Sequence, residues 1–243
     1  MCSFLLACHT AFATAQTYDK LVLVLATDDA LHQDYSTLWA KAQLIDPLIE
    51  DARTHKVVYS LPFCEEEQPV AQCEADASIK LVIEVYGPVE DLEDIASSLI
   101  AGHPELPLAA YQVRERQPRA YTRDWPLGEA SPGIRMIALM VKRDHLTAAE
   151  FDAYWRDQHT PKALAQPIPV WNYLQNTVTR CQGACGDVVV DGIALEQFRN
   201  ASDPNDRWFK TPWWRIKGLW SATKFMDLLK TRPQYMTEYI VKA

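Results

Sequence analysis

The sequence lacks the signatures of the commonest cofactor and nucleophile chemistries. It has no GxGxxG fingerprint, no P-loop and no HExxH helix, so none of those nucleotide or metalloprotease sites is written in it. A G-x-S-x-G nucleophile elbow is absent too. His32, His55, His103, His145 and His159 show no ligand spacing with acidic partners. Glycine is scarce, 8 residues against 15 prolines in 243, which implies several rigid connections. Positive charge is also short. The net charge is −8 and no Lys/Arg cluster of the phosphate-gripping kind stands out, so nucleic acid and anionic membrane are not expected partners. Apolar residues make up 48% and charged residues 23%, an ordinary globular balance that excludes disorder.

Export and metal binding are weakly supported. Residues 2–15 (CSFLLACHTAFATA) are fairly apolar, end in Ala13-Thr14-Ala15 and contain Leu5-Leu6-Ala7-Cys8, which looks like a lipoprotein box. No Lys or Arg precedes them and His9 interrupts the run, so a cytoplasmic location is expected. No other segment approaches a membrane span. The pairs Cys64/Cys73 and Cys181/Cys185 lack the paired His or second CxxC of a zinc site, so free thiols are expected.

What is present is a repeated pattern. The runs 20–26 (KLVLVLA) and 134–141 (IRMIALMV) read as strands buried on two faces. A helix containing Trp39 is predicted within 30–53, and one containing Trp155 within 148–159. Strand pairs follow at 56–62 and 79–86, then at 170–179 and 187–198. Val82-Ile83-Glu84-Val85-Tyr86 parallels Ala194-Leu195-Glu196-Gln197-Phe198, and Tyr111-Gln112-Val113-Arg114 parallels Tyr239-Ile240-Val241-Lys242. Helices are predicted over 89–100 and in pieces within 205–230. The order is β-α-β-β-α-β twice, the ferredoxin-like arrangement. The expected fold class is therefore α+β, two ferredoxin-like halves burying their free faces against each other. The expected division is a tail (1–18), a degenerate half (19–115), a Pro/Gly-rich linker (116–133) and a half carrying the site (134–243).

Residues 147–161 are the most informative. Thr147 and Glu150 form a capping box that starts a helix. Phe151, Tyr154 and Trp155 make one apolar face, which His159 extends. Pro161 disfavours helix at Thr160, so the helix is expected to end near His159. A helix end favours the protonated ring and burial favours the neutral one, which suits a general acid or base. The bland alternative is a His that only bonds helix-end carbonyls.

The string FDAYWRDQHTP resembles the signature of EthD-like members of the dimeric α/β-barrel superfamily, and Asp191–Glu196 resembles that family's third strand. The resemblance covers most of 134–243. The first half has Trp39 but Gln43 four residues later, where a His would stand. The resemblance implies a pocket between sheet and helices. It also implies chemistry without metal or organic cofactor on a small aromatic or polyketide-like substrate: isomerase or lyase reactions, including cyclisation and dehydration, or oxygenation. A haem site is conceivable in the superfamily.

Further candidates follow from pattern. Glu196 shares a strand face with Ala194 and Phe198, where a carboxylate is costly unless it is paired or functional. Alternation puts Trp171 and Tyr173 on one face and Asn172 on the other. Tyr154 either donates a proton or packs. Trp208, Phe209 and Trp213, in a seven-residue stretch with a third Trp, either wall a pocket for a flat ligand or form a homodimer seam. The expected function is a cofactor-independent lyase or isomerase, with His159 as acid/base and Tyr154 and Glu196 assisting. Trp155, Trp171, Asn172, Tyr173, Trp208, Phe209 and Trp213 are expected to bind substrate. A non-catalytic binding module and a cofactor-free monooxygenase are the alternatives. One site per chain is expected.

Overall fold

The strands alternate between two buried environments, and that alternation builds the molecule. The structure is a computed structural model that describes residues 19–26, 37–64, 77–168 and 170–243. Expectations for residues 1–18, His32 and Cys73 lie outside the described residues. In chain order the elements begin with β1 (Asp19–Ala26), then helix α1, running continuously through Thr37–Ala40, Lys41–Ile45 and Asp46–Glu50. Next come β2 (Lys56–Pro62), β3 (Ile79–Tyr86), α2 (Val89–Gly102), β4 (Leu108–Arg119) and β5 (Ile134–Met140). Helix α3 runs through Ala148–Tyr154, Trp155–His159 and Thr160–Leu164. Then follow β6 (Asn172–Gly183), β7 (Gly192–Phe198), α4 (Asp203–Phe209), α5 (Pro212–Ala222) and β8 (Arg232–Lys242).

The eight strands of the described residues form one closed antiparallel barrel, in the order β1-β3-β2-β8-β5-β7-β6-β4, with β4 returning to β1. This overturns the expected fold class of two ferredoxin-like halves packed face to face. β2 hydrogen-bonds to β8 and β4 to β6, so both ends of the chain share a single ring of strands. An open sheet leaves a row of unpaired N–H and C=O groups along each edge, and closure pairs them. Hydrophobic periodicity reports which faces are buried but not which edges join.

One face of each strand points into the barrel. Val22 and Val24 of β1 meet Val82, Ile137, Leu139, Leu174, Ile193, Leu195 and Met236 there. The intervening Leu21, Leu23 and Leu25 face outward and pack under α1 and α2, with Leu44, Leu48, Leu92 and Ile95. On the other side Ile134, Ala138, Met140, Ala194 and Phe198 pack under α3 and the segment after α5, against Phe151, Trp155 and Phe225. Gly192 makes one close approach possible: a Cβ there would stand 2.8 Å from the Trp155 ring and 3.1 Å from that of Phe151.

The polar end of the barrel interior holds a buried ion network. Lys20 bonds Glu84 and Glu115 at 2.6 Å each, and Arg135 bonds Glu84 at 2.5 Å and Glu238 at 2.8 Å. Burial pushes the Glu84 carboxyl up, but Arg135 and Lys20 outweigh it and hold its pKa at about 2. Cys181, near the end of β6, forms a disulfide with Cys185 just beyond the strand, and Cys64 is also disulfide-bonded. The free-thiol expectation is corrected for these residues: a three-residue spacing across a turn brings two Cα atoms to 6.1 Å, within bonding range. Among the described residues, no helix is long and apolar enough to cross a membrane.

Candidate active site

Helix α3 does not end at His159. Thr147 caps it through a reciprocal bond with Glu150, and it then widens into a π segment over Trp155–His159 before continuing to Leu164. The wider turn lets the Thr160 amide bond the Trp155 carbonyl, which also accepts from Thr160 Oγ1 at 2.7 Å. Pro161, with no N–H to offer, is tolerated at the start of the next α-helical turn. His159 therefore sits inside a helix, so the helix-end argument for its protonation does not apply. Helix α1 has the same device, a π segment over Lys41–Ile45 followed by Pro47. In that register Ile45, not Gln43, stands where α3 has His159.

His159 opens onto a cavity of about 260 Å³ between the outer face of the barrel and helices α3, α4 and α5. Trp155, Tyr173, Phe198, Phe225 and Tyr235 wall it, and Met136, Met140 and Met226 add adaptable surface. The imidazole Nδ1 lies 3.2 Å from Ser221 Oγ, and the ring packs 5.1 Å from that of Phe225. Burial, then the positive charges of Lys162 and Arg207, push its pKa down to about 4. The ring is therefore neutral at pH 7, with one nitrogen free to accept a proton.

Glu196 and Arg207 are among the further polar side chains that line this apolar space. Glu196, 9% exposed, has no hydrogen bond or ion pair with the described residues. Burial raises its pKa, and the charge of Arg207 opposes the rise. Arg207 bonds the Gln166 side chain through Nε and the Ala163 carbonyl through Nη2 at 2.9 Å. Its buried Nη1 has no partner among the described residues. A carboxyl and a guanidinium thus share one small cavity without touching, leaving room for a substrate oxygen that accepts from Arg207.

The structure brings together some of the residues expected from sequence and separates others. Trp155 is fully buried and donates through Nε1 to Tyr173 Oη at 2.8 Å, so both are fixed in the wall. Burial and the nearby Glu196 charge hold the Tyr173 phenol well above its ordinary pKa. Tyr154 stacks on Phe225 at 5.5 Å and does not line the cavity, so it packs. Trp171 precedes β6 and joins Tyr121 and Trp125 in a separate aromatic cluster, away from His159. Alternation fails for it because it is not part of the strand. Asn172 accepts from Gln117 at 2.9 Å and faces a second cavity, of about 610 Å³, at the charged end of the barrel. Trp213 is 63% exposed, with Lys217 over its ring, and does not wall the pocket. The side chains of Trp208 and Phe209 lie outside the described residues. Arg207, Ser221 and Phe225 were not among the sequence candidates. They carry no local pattern and reach the site only because α4, α5 and the following turn fold back over the barrel.

No family model matches the chain. No curated protein matches it either. Solved structures do. One described as an anthrone oxidase-like protein superposes with a TM-score of 0.60 at 11% identity, covering 92% of this chain and 91% of that one. A putative monooxygenase from Fusobacterium nucleatum subsp. nucleatum ATCC 25586 gives a TM-score of 0.50 at 8% identity, covering 94% of each chain. At this identity the likeness is one of fold. Nothing in it confirms the EthD-like family.

Proposed function

We propose that the chain is an enzyme that removes a proton from a small, flat aromatic or polyketide-like substrate and passes the resulting carbanion to dioxygen. The observation that carries this reading is a neutral imidazole opening onto an apolar, aromatic-walled cavity that also holds an unpartnered guanidinium N–H. An isolated imidazole of pKa about 4 is a weak base. It becomes competent when the substrate anion forms beside it, because that charge pairs with the new imidazolium and with Arg207. Glu196 then orients a substrate hydroxyl.

For an activated CH₂ the balance is complete. His159 takes a proton, the carbanion gives one electron to dioxygen, the resulting radical and superoxide combine as a peroxide anion, and the His159 imidazolium returns the proton to make a hydroperoxide. Loss of water from the hydroperoxide leaves a carbonyl, so CH₂ and O₂ become C=O and H₂O. Oxygenation is preferred to lyase or isomerase chemistry because the fold neighbours are described as oxidase-like and monooxygenase proteins. No step requires a metal or organic cofactor.

The test is oxygen uptake with hydroxylated fused-ring substrates. One O₂ is expected per carbonyl formed, and His159→Ala should lower the rate by about 10²–10⁴ while near-UV circular dichroism stays unchanged. A folded His159→Ala protein that turns over at the native rate removes His159 from the mechanism. Turnover without oxygen uptake returns the protein to lyase or isomerase chemistry.

A further inference from the structure

Between Asp206 and Asp227 stand five cations and no carboxylate, in a chain of net charge −8; Lys210 pairs with Asp206, and Arg207 and Arg215 line the His159 cavity, which leaves Lys217 and Lys224. Helix α5 projects an apolar stripe from this basic segment. Trp213, Ile216 and Trp220, spaced i, i+3 and i+7, are 63, 54 and 59% exposed, and Leu229 in the next turn is 98% exposed. Lys217 Nζ lies 5.3 and 5.0 Å from the rings of Trp213 and Trp214, and Lys224 Nζ lies 4.7 Å from that of Trp220. Lys217 and Lys224 form no ion pair with the described residues.

We infer that α5 is a docking surface for an anionic lipid membrane, on which it lies in the interfacial plane. Exposed tryptophans beside unpaired lysines match that boundary, where the indole body enters the acyl region and the ammonium groups meet lipid phosphate. A second copy of the chain fits poorly. A two-fold contact through this face would set Lys217 and Lys224 against the same cations of the partner. The expectation of no membrane partner came from the net charge and from the absence of a Lys/Arg cluster, and these two lysines stand apart in sequence among aromatic residues. The inner side of α5, through Gly218, Leu219 and Ala222, closes the His159 cavity, so an apolar ligand dissolved in lipid would have a short route in. The docking itself does not depend on the proposed chemistry.

The experiment is co-sedimentation of the full chain with vesicles of phosphatidylcholine alone, or with about one third phosphatidylglycerol, at about 0.1 and 0.5 M salt. Binding is expected to the anionic vesicles only, and to fall at high salt. Trp213→Ala/Trp220→Ala should abolish it, and Lys217→Gln or Lys224→Gln should each weaken partitioning about fivefold. None of these four side chains lines the cavity, so their fold and turnover should be unchanged. Failure of the folded native chain to pellet, or equal pelleting with neutral vesicles, overturns the inference. So does a concentration-dependent dimer, seen by light scattering, that Trp213→Ala/Trp220→Ala dissolves, because a second copy then covers the face.

Discussion

At the scale of single residues, the charge state of His159 is set by its neighbours more than by its own helix. Burial removes water from the ring, and Lys162 and Arg207 add two like charges, so the proton leaves near pH 4. The acid limb of kcat/KM is then expected near that value, well below the ordinary 6.5. Lys162 is the removable part of this field, since Arg207 also bonds Gln166 and Ala163. Lys162→Gln should move the acid limb upward by less than about one pH unit, with little change in the plateau rate. A pH–rate profile from pH 3.5 to 8 checks it, and an unmoved limb means that desolvation and Arg207 set the shift without Lys162. His159 and Glu196 are visible in the sequence because each is a polar group on an apolar face, and Trp155 and Tyr173 because helix and strand periodicity place them on such faces. The sequence hid Arg207 and Ser221, because a charged or hydroxyl residue on a surface-type helix looks the same whether or not it ends in a pocket.

At the scale of elements, the strand expectations at 56–62 and 79–86 match β2 and β3, since the alternation of two buried faces is strong there. The proline rule that places the end of α3 near His159 assumes an α-helical ladder, and the π segment changes which carbonyl Thr160 reaches. Gly192 shows how a strand and that helix are fitted. It opens β7 opposite Thr177 of β6, and its bare Cα lets the Trp155 ring lie against the sheet. Gly192→Ala should push Trp155 outward and strain its bond to Tyr173, costing about 1–3 kcal/mol. Urea denaturation gives the loss of stability. The same variant should lower turnover, because Trp155 forms part of the cavity wall. A variant as stable and active as the native chain would show that the wall has slack.

At the scale of the molecule, closure is what sequence pattern left unreadable, and it is held by charge as well as by backbone pairing. Glu84 of β3 receives Lys20 of β1 and Arg135 of β5, and Arg135 reaches on to Glu238 of β8. The network therefore crosses from the first four strands to the last four inside the barrel. Each ion has lost its water, so pairing offsets a large desolvation cost, and removing one member leaves the others uncompensated. Glu84→Gln should cost about 3–5 kcal/mol at pH 7. The pH dependence has a definite sign. The Glu84 pKa is depressed from 4.5 to about 2, so its contribution is full above 4.5 and is lost as pH falls toward 2. His159 acts in the same direction at higher pH: between 6.5 and about 4 the unfolded chain takes a proton that the folded ring refuses. Glu196, whose pKa is raised, works the other way, adding stability below its ordinary value and losing it as pH rises through the raised one. Urea melts of the native chain and Glu84→Gln between pH 7 and 2.5 separate these effects. The gap between the two proteins should stay constant down to about pH 4.5 and narrow below it. The His159 slope should appear equally in both proteins. A gap that persists at pH 2.5 would mean that Glu84 holds the barrel through shape and hydrogen bonding, with its charge contributing little.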